Sequence, residues 1–440
     1  MAIIYPFRPW RYNPAVVRLD DVVTQPYDKI SPAMQQAYYQ SSPYNIVRII
    51  LGLPELFDAE RGESVYSRAA RDFRDWREQG ILIQEKTPCV YAYAQRFAEP
   101  GGGELKERRG FIALGKLQDY SEQVVFRHEQ TLAKPKGDRK RLLEATRAHF
   151  GQIFMLYSDP ARSVEKVLYD GNGTPDAEVT DEYGVQHRLW RISDAATIRL
   201  LCAVMRDKKL IIADGHHRYE TALAYAKEHA GHAKKPELSV NELPYPAYPE
   251  AAVMMTFVNM DSEGLSILPT HRVVHGVAGF DVAGFLAKTQ EFFTAEKVED
   301  SAGSDLTRPL AGEAGTAYVL VLKNGAWLLR PKAEAVAPML KGMPERQKKL
   351  DLTVLHKVLL EHVLGLTEEN IREQTNLRYV REAAGAVEQV RRGDANAAIL
   401  TRPVTMEQLR EVAYAGDVMP QKSTDFYPKL VSGLTIYALD

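Results

Sequence analysis

The stretch KLIIADGHHRYETAL, residues 209–223, constrains this chain more than any other. Its run Lys209 to Ala213 is short, apolar and β-branched, so it reads as a buried strand. Asp214 and Gly215 then make a tight turn, and a helical pattern follows over residues 217–230. A strand that feeds a helix through two residues places the chain in the mixed α and β class. The corner also has chemistry. The first amides of a helix lack intrahelical partners and carry a partial positive charge, which suits a phosphate. Gly215 allows close backbone approach. His216, His217 and Arg218 add donors beside those amides, and an arginine grips a phosphate with two parallel hydrogen bonds. Asp214 suits a divalent ion or a substrate hydroxyl. The plainer alternative is an ordinary corner with an aspartate cap and two solvated histidines; three donors on one helical turn favour the anion reading.

The rest of the chain supplies more strands and helices without a fixed-period repeat. Residues 16–23 read as a short strand ending in the turn Gln25-Pro26-Tyr27-Asp28. Val65, Ala69, Phe73 and Trp76 recur at helical spacing, and Gly80 stops that helix. Residues 90–97 and 110–117 form a β pair around Glu99-Pro100-Gly101-Gly102-Gly103. Ser193 reads as the cap of a helix through Ile198, Leu201 and Met205. Residues 231–249 have no period and read as a loop. Strands follow at 252–260 and on either side of Asn324-Gly325, the strongest hairpin signal in the chain. Helices at 352–364 and 384–392 and a strand at 434–439 complete the pattern.

With 440 residues and 45% hydrophobic content, the chain has material for more than one domain and a large core. A formal net charge of −2 gives no support to nucleic acid as a partner. Cys89 and Cys202 form no CxxC pair, which fits a reducing compartment. Neither a membrane-spanning run nor a leader pattern is present in this sequence, so it reads as cytoplasmic. Familiar nucleotide and hydrolase signatures are absent: GxxxxGK[ST], GxGxxG after a strand, GxSxG and HExxH do not occur.

Three further groups carry candidate chemistry. Arg127-His128-Glu129-Gln130-Thr131 precedes Lys134 to Arg141, a stretch with five positive residues and one negative. It reads either as a phosphate clamp using Lys136 and Arg139, with Glu129 as metal ligand or base, or as a solvated helix start. Asp28 sits in a proline-punctuated turn, where an aspartate is ordinarily a turn former. Pro420-Gln421-Lys422-Ser423-Thr424 and Tyr427-Pro428-Lys429 place two lysines and two hydroxyls around a turn, as an anion contact or an ordered loop. Thr270-His271-Arg272 is a weaker polar signal near a strand. His356 and His362 are six apart, outside the spacing of a helical zinc pair, and read as packing or surface residues.

The segments TQPYDKIS, SPYNIVRI, RHEQTLAKPKGDRKRLLEATRAHFGQIFMLYSD, ADGHHRYETAL, LPTHRVV and MPQKSTDFYPKLVSGL together resemble the domain of unknown function 1015 family. They run from near Thr24 to Leu434. DGHHR also resembles the phosphate-binding motif of the ParB/sulfiredoxin superfamily, which includes a free serine kinase. That resemblance implies a ParB/sulfiredoxin-like nucleotide-binding core in residues 1–245 and an additional α/β region in 246–440. It implies that Gly215, His216, His217 and Arg218 hold nucleotide phosphates; Lys136 and Arg139 join them only if the basic stretch is a clamp. Asp28 is the position matched to the carboxylate that activates the serine hydroxyl, an Asp in place of the longer Glu, with His217 as its catalytic companion. ATP or ADP is the implied donor, with magnesium on Asp214 or Glu129. The expectation is a phosphotransferase for a small hydroxylated metabolite, free serine first. A metal-dependent phosphatase and a non-catalytic nucleotide switch are the alternatives.

Overall fold

A computed structural model describes residues 1–55, 62–129, 133–171, 173–232, 242–299 and 305–440. The chain divides into two compact units: residues 1–127, 131–265 and 427–440 form the first, residues 128–130 and 266–426 the second. The expected boundary at 245/246 precedes a strand, Ala252–Asn259, that lies inside the sheet of the first unit, and the final residues return to that unit as well.

The first unit is built on a nine-stranded mixed sheet. Its strands are β1 (Ile4–Tyr5), β2 (Val90–Phe97), β3 (Lys106–Lys116), β4 (Val125–Phe126), β5 (Ile153–Tyr157), β6 (Ala177–Thr180), β7 (Gln186–Ile192), β8 (Leu210–Asp214) and β9 (Ala252–Asn259). They lie in the order β4-β8-β5-β9-β3-β2-β7-β6, with β1 paired to β3. β2 and β3 form the expected hairpin, with Tyr91 opposite Ile112. β9 runs parallel to β5 and antiparallel to β3, so it is hydrogen-bonded on both edges. A side chain at Gly110 would strike the backbone of Phe257, which is why β3 and β9 approach at a glycine.

Helices α1 (Val65–Glu78), α2 (Ala133–Thr146), α3 (Ala195–Met205) and α4 (His216–His229) cover this unit. Ile198, Leu201 and Met205 of α3 and Tyr219, Ala222 and Ala226 of α4 join Ile153, Met155, Val253, Met255 and Phe257 in one buried cluster. Each large apolar side chain taken from water here contributes about 1.5–3 kcal/mol. A second cluster unites Phe73 and Trp76 of α1 with Leu142 of α2 and Phe150. α1 appears where the Val65–Trp76 spacing places it, with Ser64 as its capping residue. For α3 the cap is Asp194 and not Ser193: the carboxylate accepts the Thr197 N–H at 2.8 Å, a charge-assisted bond. Residues 16–23 contain a 3-10 turn, Leu19–Asp21, instead of a strand; its acidic residues sit in that turn. The strand expected at 434–439 shortens to Tyr437–Ala438, paired with Ala148–His149.

The second unit has a six-stranded antiparallel sheet. Its strands are β10 (His271–Val274), β11 (Phe293–Val298), β12 (Tyr318–Leu322), β13 (Gly325–Pro331), β14 (Leu377–Val380) and β15 (Ala397–Leu400), in the order β11-β13-β12-β15-β10-β14. The hairpin read around Asn324-Gly325 joins β12 to β13, with Leu322 opposite Gly325. Helix α5 (Ala383–Arg392) lays Ala386, Val387 and Val390 onto Val273, Val319 and Ala398. The helix expected at 352–364 is two segments, a short α-helix Asp351–Val354 continued by a π-helix Leu355–Val363. Among the described residues, no helix is long and apolar enough to cross a membrane.

Candidate functional site

The strand–turn–helix corner forms as the sequence requires. β8 is fully buried up to Ala213 and its register with β5 shifts between Ile212 and Asp214, an irregularity that re-aims the strand end. Gly215 takes φ +94°, a conformation that costs an L side chain about 1–3 kcal/mol, and α4 begins at His216. The Gly215 N–H donates to Asp214 Oδ1 at 2.8 Å. Arg218 folds back across the turn. Its Nη1 donates to the Gln152 carbonyl at 2.6 Å. A Cβ at Gly215 would lie 3.0 Å from Arg218 Nη2, and one at Gly151 would lie 3.1 Å from Nη1. Two glycines therefore make room for one guanidinium. His216 is buried, and loss of water pushes its imidazole down to about 4, so it is neutral at pH 7. His217 is half-buried on the same turn.

Other motif segments reach this corner within the first unit. Thr24 and Ser432 exchange backbone hydrogen bonds at 3.1 and 2.8 Å, tying the TQPYD segment to the VSGL segment. Gln25 Nε2 donates to Asp181 Oδ2 at 3.0 Å. The chain then makes the turn Tyr27–Lys29, which carries Asp28 exposed on its surface. Arg139 of α2 stacks on the Tyr27 ring with its guanidinium carbon 4.0 Å from the centroid, while its Nη1 donates to the Ile50 carbonyl at 2.9 Å. Burial raises the Tyr27 phenol; Asp28 and Asp214 raise it further, and Arg139 and Arg218 oppose them. Four of the expected site residues therefore act on one phenol. Pro26, Tyr27, Arg139, Arg218, Thr221 and Ser432 line part of a cavity of about 70 Å³. Among the described residues, Thr221 Oγ1 and Gln152 Oε1 are buried without a hydrogen-bond partner. Such atoms mark a place for water or a ligand.

The remaining expected residues lie elsewhere or are engaged. Lys136 pairs with Glu220, one turn along α4 from His216, and Arg127 approaches the same carboxylate at 3.8 Å. Asp214 Oδ2 is 3.3 Å from the ammonium of Lys429. Glu129 belongs to the second unit, where its Oε1 accepts the Lys422 N–H at 3.1 Å. Gln130 and Thr131 lie outside the described residues. No group of three or more His, Cys, Asp or Glu is arranged for a metal among the described residues. Magnesium takes one or two carboxylates, with waters and substrate phosphates completing its octahedron. Asp214, held by Lys429 and its own turn amide, and Glu129, held by the Lys422 amide, are each already engaged.

Lys429 is the addition that sequence reasoning left as one of two lysines near a turn. It is buried, and its placement has a clear cause. Gln95 Nε2 donates to the Lys429 carbonyl at 2.9 Å. Arg108, also buried, gives Nη1 to the Tyr427 carbonyl at 3.2 Å and Nη2 to the Pro428 carbonyl at 2.5 Å. Its Nε donates to Gln95 Oε1 at 3.0 Å. Every nitrogen of this guanidinium is satisfied, and three consecutive carbonyls are fixed just where Lys429 turns toward Asp214.

Fold and site together define a mixed α/β protein with an arginine-braced, cation-rich corner at the end of a central strand. The chain belongs to the family described as Protein of unknown function (DUF1015), whose model matches residues 4–353. No curated protein matches it. Among solved structures, a free serine kinase in complex with AMP is similar at 14% identity, covering 72% of this chain and 86% of that one, with a TM-score of 0.34. A conserved hypothetical protein from Pyrococcus furiosus is similar at 14% identity, covering 72% and 92%, with a TM-score of 0.34. A C-terminally truncated SbnI from Staphylococcus aureus is similar at 11% identity, covering 74% and 87%, with a TM-score of 0.37.

Proposed function

We propose that the first unit binds a nucleotide through its phosphates at the Gly215–Arg218 corner and transfers a phosphoryl group to a small hydroxylated metabolite, with free serine the first to test. In this reading its core is ParB/sulfiredoxin-like and the protein works in the cytoplasm. The observation that carries the reading is the meeting of Tyr27, Arg139 and Arg218 around one small cavity at the N-terminus of α4. Helix amides and fixed guanidinium groups are the kind of donors that stabilise a transferring phosphoryl group.

Each residue has a defined task. The amides of His216 and His217 and the Arg218 guanidinium hold donor phosphates, and Arg139, stacked on Tyr27 and paired with Asp138, assists. Lys429 supplies a further positive charge once phosphate competes for it with Asp214. Asp28 accepts the proton of the acceptor hydroxyl. The hydroxyl oxygen forms a bond to the terminal phosphorus as the bond from that phosphorus to the leaving nucleotide oxygen breaks. His217, half-buried beside the phosphates, steadies the charge on the leaving group. ATP or ADP serves as donor. Among the described residues no group of carboxylates is gathered for magnesium, and the tasks above fall to the chain's own side chains and amides.

The test is incubation of the pure protein with serine and either ATP or ADP, with magnesium in the buffer, followed by detection of O-phosphoserine. Product formation that falls at least 100-fold in Asp28→Asn supports the reading. Absence of phosphoserine with every donor, from folded protein, overturns it. Release of inorganic phosphate from phosphoserine without nucleotide would instead identify a phosphatase.

A further inference from the structure

Three motif segments that the phosphate corner does not use meet inside the second unit. The Lys422 N–H donates to Glu129 Oε1, and His128 Nε2 and Thr424 Oγ1 are 2.8 Å apart. Arg272 binds the same loop from beneath. Its Nη2 reaches the carbonyls of Gln421 and Lys422 at 3.3 and 3.1 Å, and its Nη1 donates to the Thr270 carbonyl. His128-Glu129, Thr270 to Arg272 and Gln421 to Thr424 thus form one cluster.

Arg272 is completely buried. A buried arginine is ordinarily paired, yet no carboxylate lies within ion-pair distance of this guanidinium among the described residues. Arg108 is an internal control: equally buried and without a carboxylate, it has a partner on all three nitrogens. Arg272 does not. Its Nε has no hydrogen-bond partner among the described residues, and neither do Tyr379 Oη, Gln421 Oε1 and His356 Nε2. These atoms share one neighbourhood. The guanidinium sits 5.2 Å from the Tyr379 ring centroid and holds the Gln421 carbonyl. Arg272 and Glu129 act in opposite directions on the Tyr379 phenol, and Arg272 also acts on His356. Tyr379, Gln421 and Glu129 are only half-buried, so they form the accessible side.

The unsatisfied groups are two donors, an acceptor and an imidazole nitrogen, beside one cation and one carboxylate. We propose that this cluster binds a small carboxylic acid bearing a hydrogen-bond donor, hydroxyl or amine, next to its carboxylate. The carboxylate lies on Arg272 Nε and the Tyr379 hydroxyl, and the neighbouring donor faces Gln421 Oε1 and the Glu129 carboxylate. Glu129 sets the charge limit: it already offsets Arg272, so a zwitterion leaves the cluster neutral and a monoanion leaves it at −1, whereas a phosphate dianion leaves it at −2 and is repelled. This site is independent of the phosphotransfer reading, because its residues all belong to the second unit and it needs no nucleotide.

The full chain, without nucleotide, is titrated calorimetrically with L-lactate, L-alanine, propionate and inorganic phosphate. Saturable binding of lactate or alanine, at least tenfold tighter than propionate and with no heat from phosphate, is the expected result; which of the two binds tells hydroxyl from amine. Tyr379→Phe and Glu129→Gln, each checked for an unchanged unfolding midpoint, should each weaken that binding at least tenfold. The site is overturned if folded protein binds neither acid, since the unsatisfied atoms then hold only water. It is equally overturned if propionate or phosphate binds as well, or if Tyr379→Phe binds unchanged. Phosphoserine formation is scored separately, so either proposal can fail without the other.

Discussion

Arg108 in the first unit and Arg272 in the second face the same physical problem and meet it differently. Burial lowers both guanidinium groups to about 10, and neither has a carboxylate in contact among the described residues. Around Arg108 the protein supplies every acceptor itself, and the outcome is a rigid peptide ending at Lys429. Around Arg272 one nitrogen and three neighbouring polar atoms are left over. A completed shell fits a residue that positions others; an incomplete one leaves a place for water or a ligand. Buried polar groups left unsatisfied cost about 1–3 kcal/mol each, which is why the difference is informative.

The largest expected effect tests that contrast directly. Arg108→Met strands Gln95 Oε1 and two carbonyls and should lower unfolding free energy by about 3–5 kcal/mol, read from urea transitions. Arg272→Met also strands carbonyls, but it removes an unsatisfied N–H together with the charge, so its loss should be about 1–3 kcal/mol smaller. Equal losses would erase the distinction. Next in size is Gly215→Ala, which places a Cβ at φ +94° and against Arg218; it should cost about 1–3 kcal/mol by the same measurement. A cost near zero would mean that the corner relaxes freely.

The smallest effect is on pH. His216 in the first unit and His271 in the second are both lowered to about 4 by burial, from an ordinary 6.5. The unfolded chain therefore takes up these protons first as pH falls. Their contribution to stability is complete above about 6.5, is lost as pH falls from there toward 4, and changes no further below that. Urea midpoints at pH 7, 5.5 and 4.5 should decline, and His271→Asn should flatten part of the decline. An unchanged slope in that variant would place the proton uptake elsewhere.

The sequence made the corner legible because hydrophobic periodicity changes from strand to helix across Asp214-Gly215, where few other structures fit. The 90–97 hairpin and the Asn324-Gly325 hairpin were legible for similar local reasons. The Leu19–Asp21 turn was not, because the valine pairs at 16–17 and 22–23 give strand-like composition to a segment whose middle is a turn. Nor was the Arg108–Gln95 clamp, since polar residues in a strand ordinarily signal a solvated face and both lie here under the returning chain. Lys429 and Asp214 are too far apart in sequence for any local pattern to pair them. Arg139 was visible only as one charge in a basic stretch, and its stacking on Tyr27 is a tertiary fact.

The most direct test of the account compares nucleotide binding by the native protein and by Arg218→Ala, using ADP and ATP in parallel calorimetric titrations. The account predicts binding by the native chain and at least a tenfold loss in the variant, with the unfolding midpoint preserved. Equal affinity in the two folded proteins would contradict it.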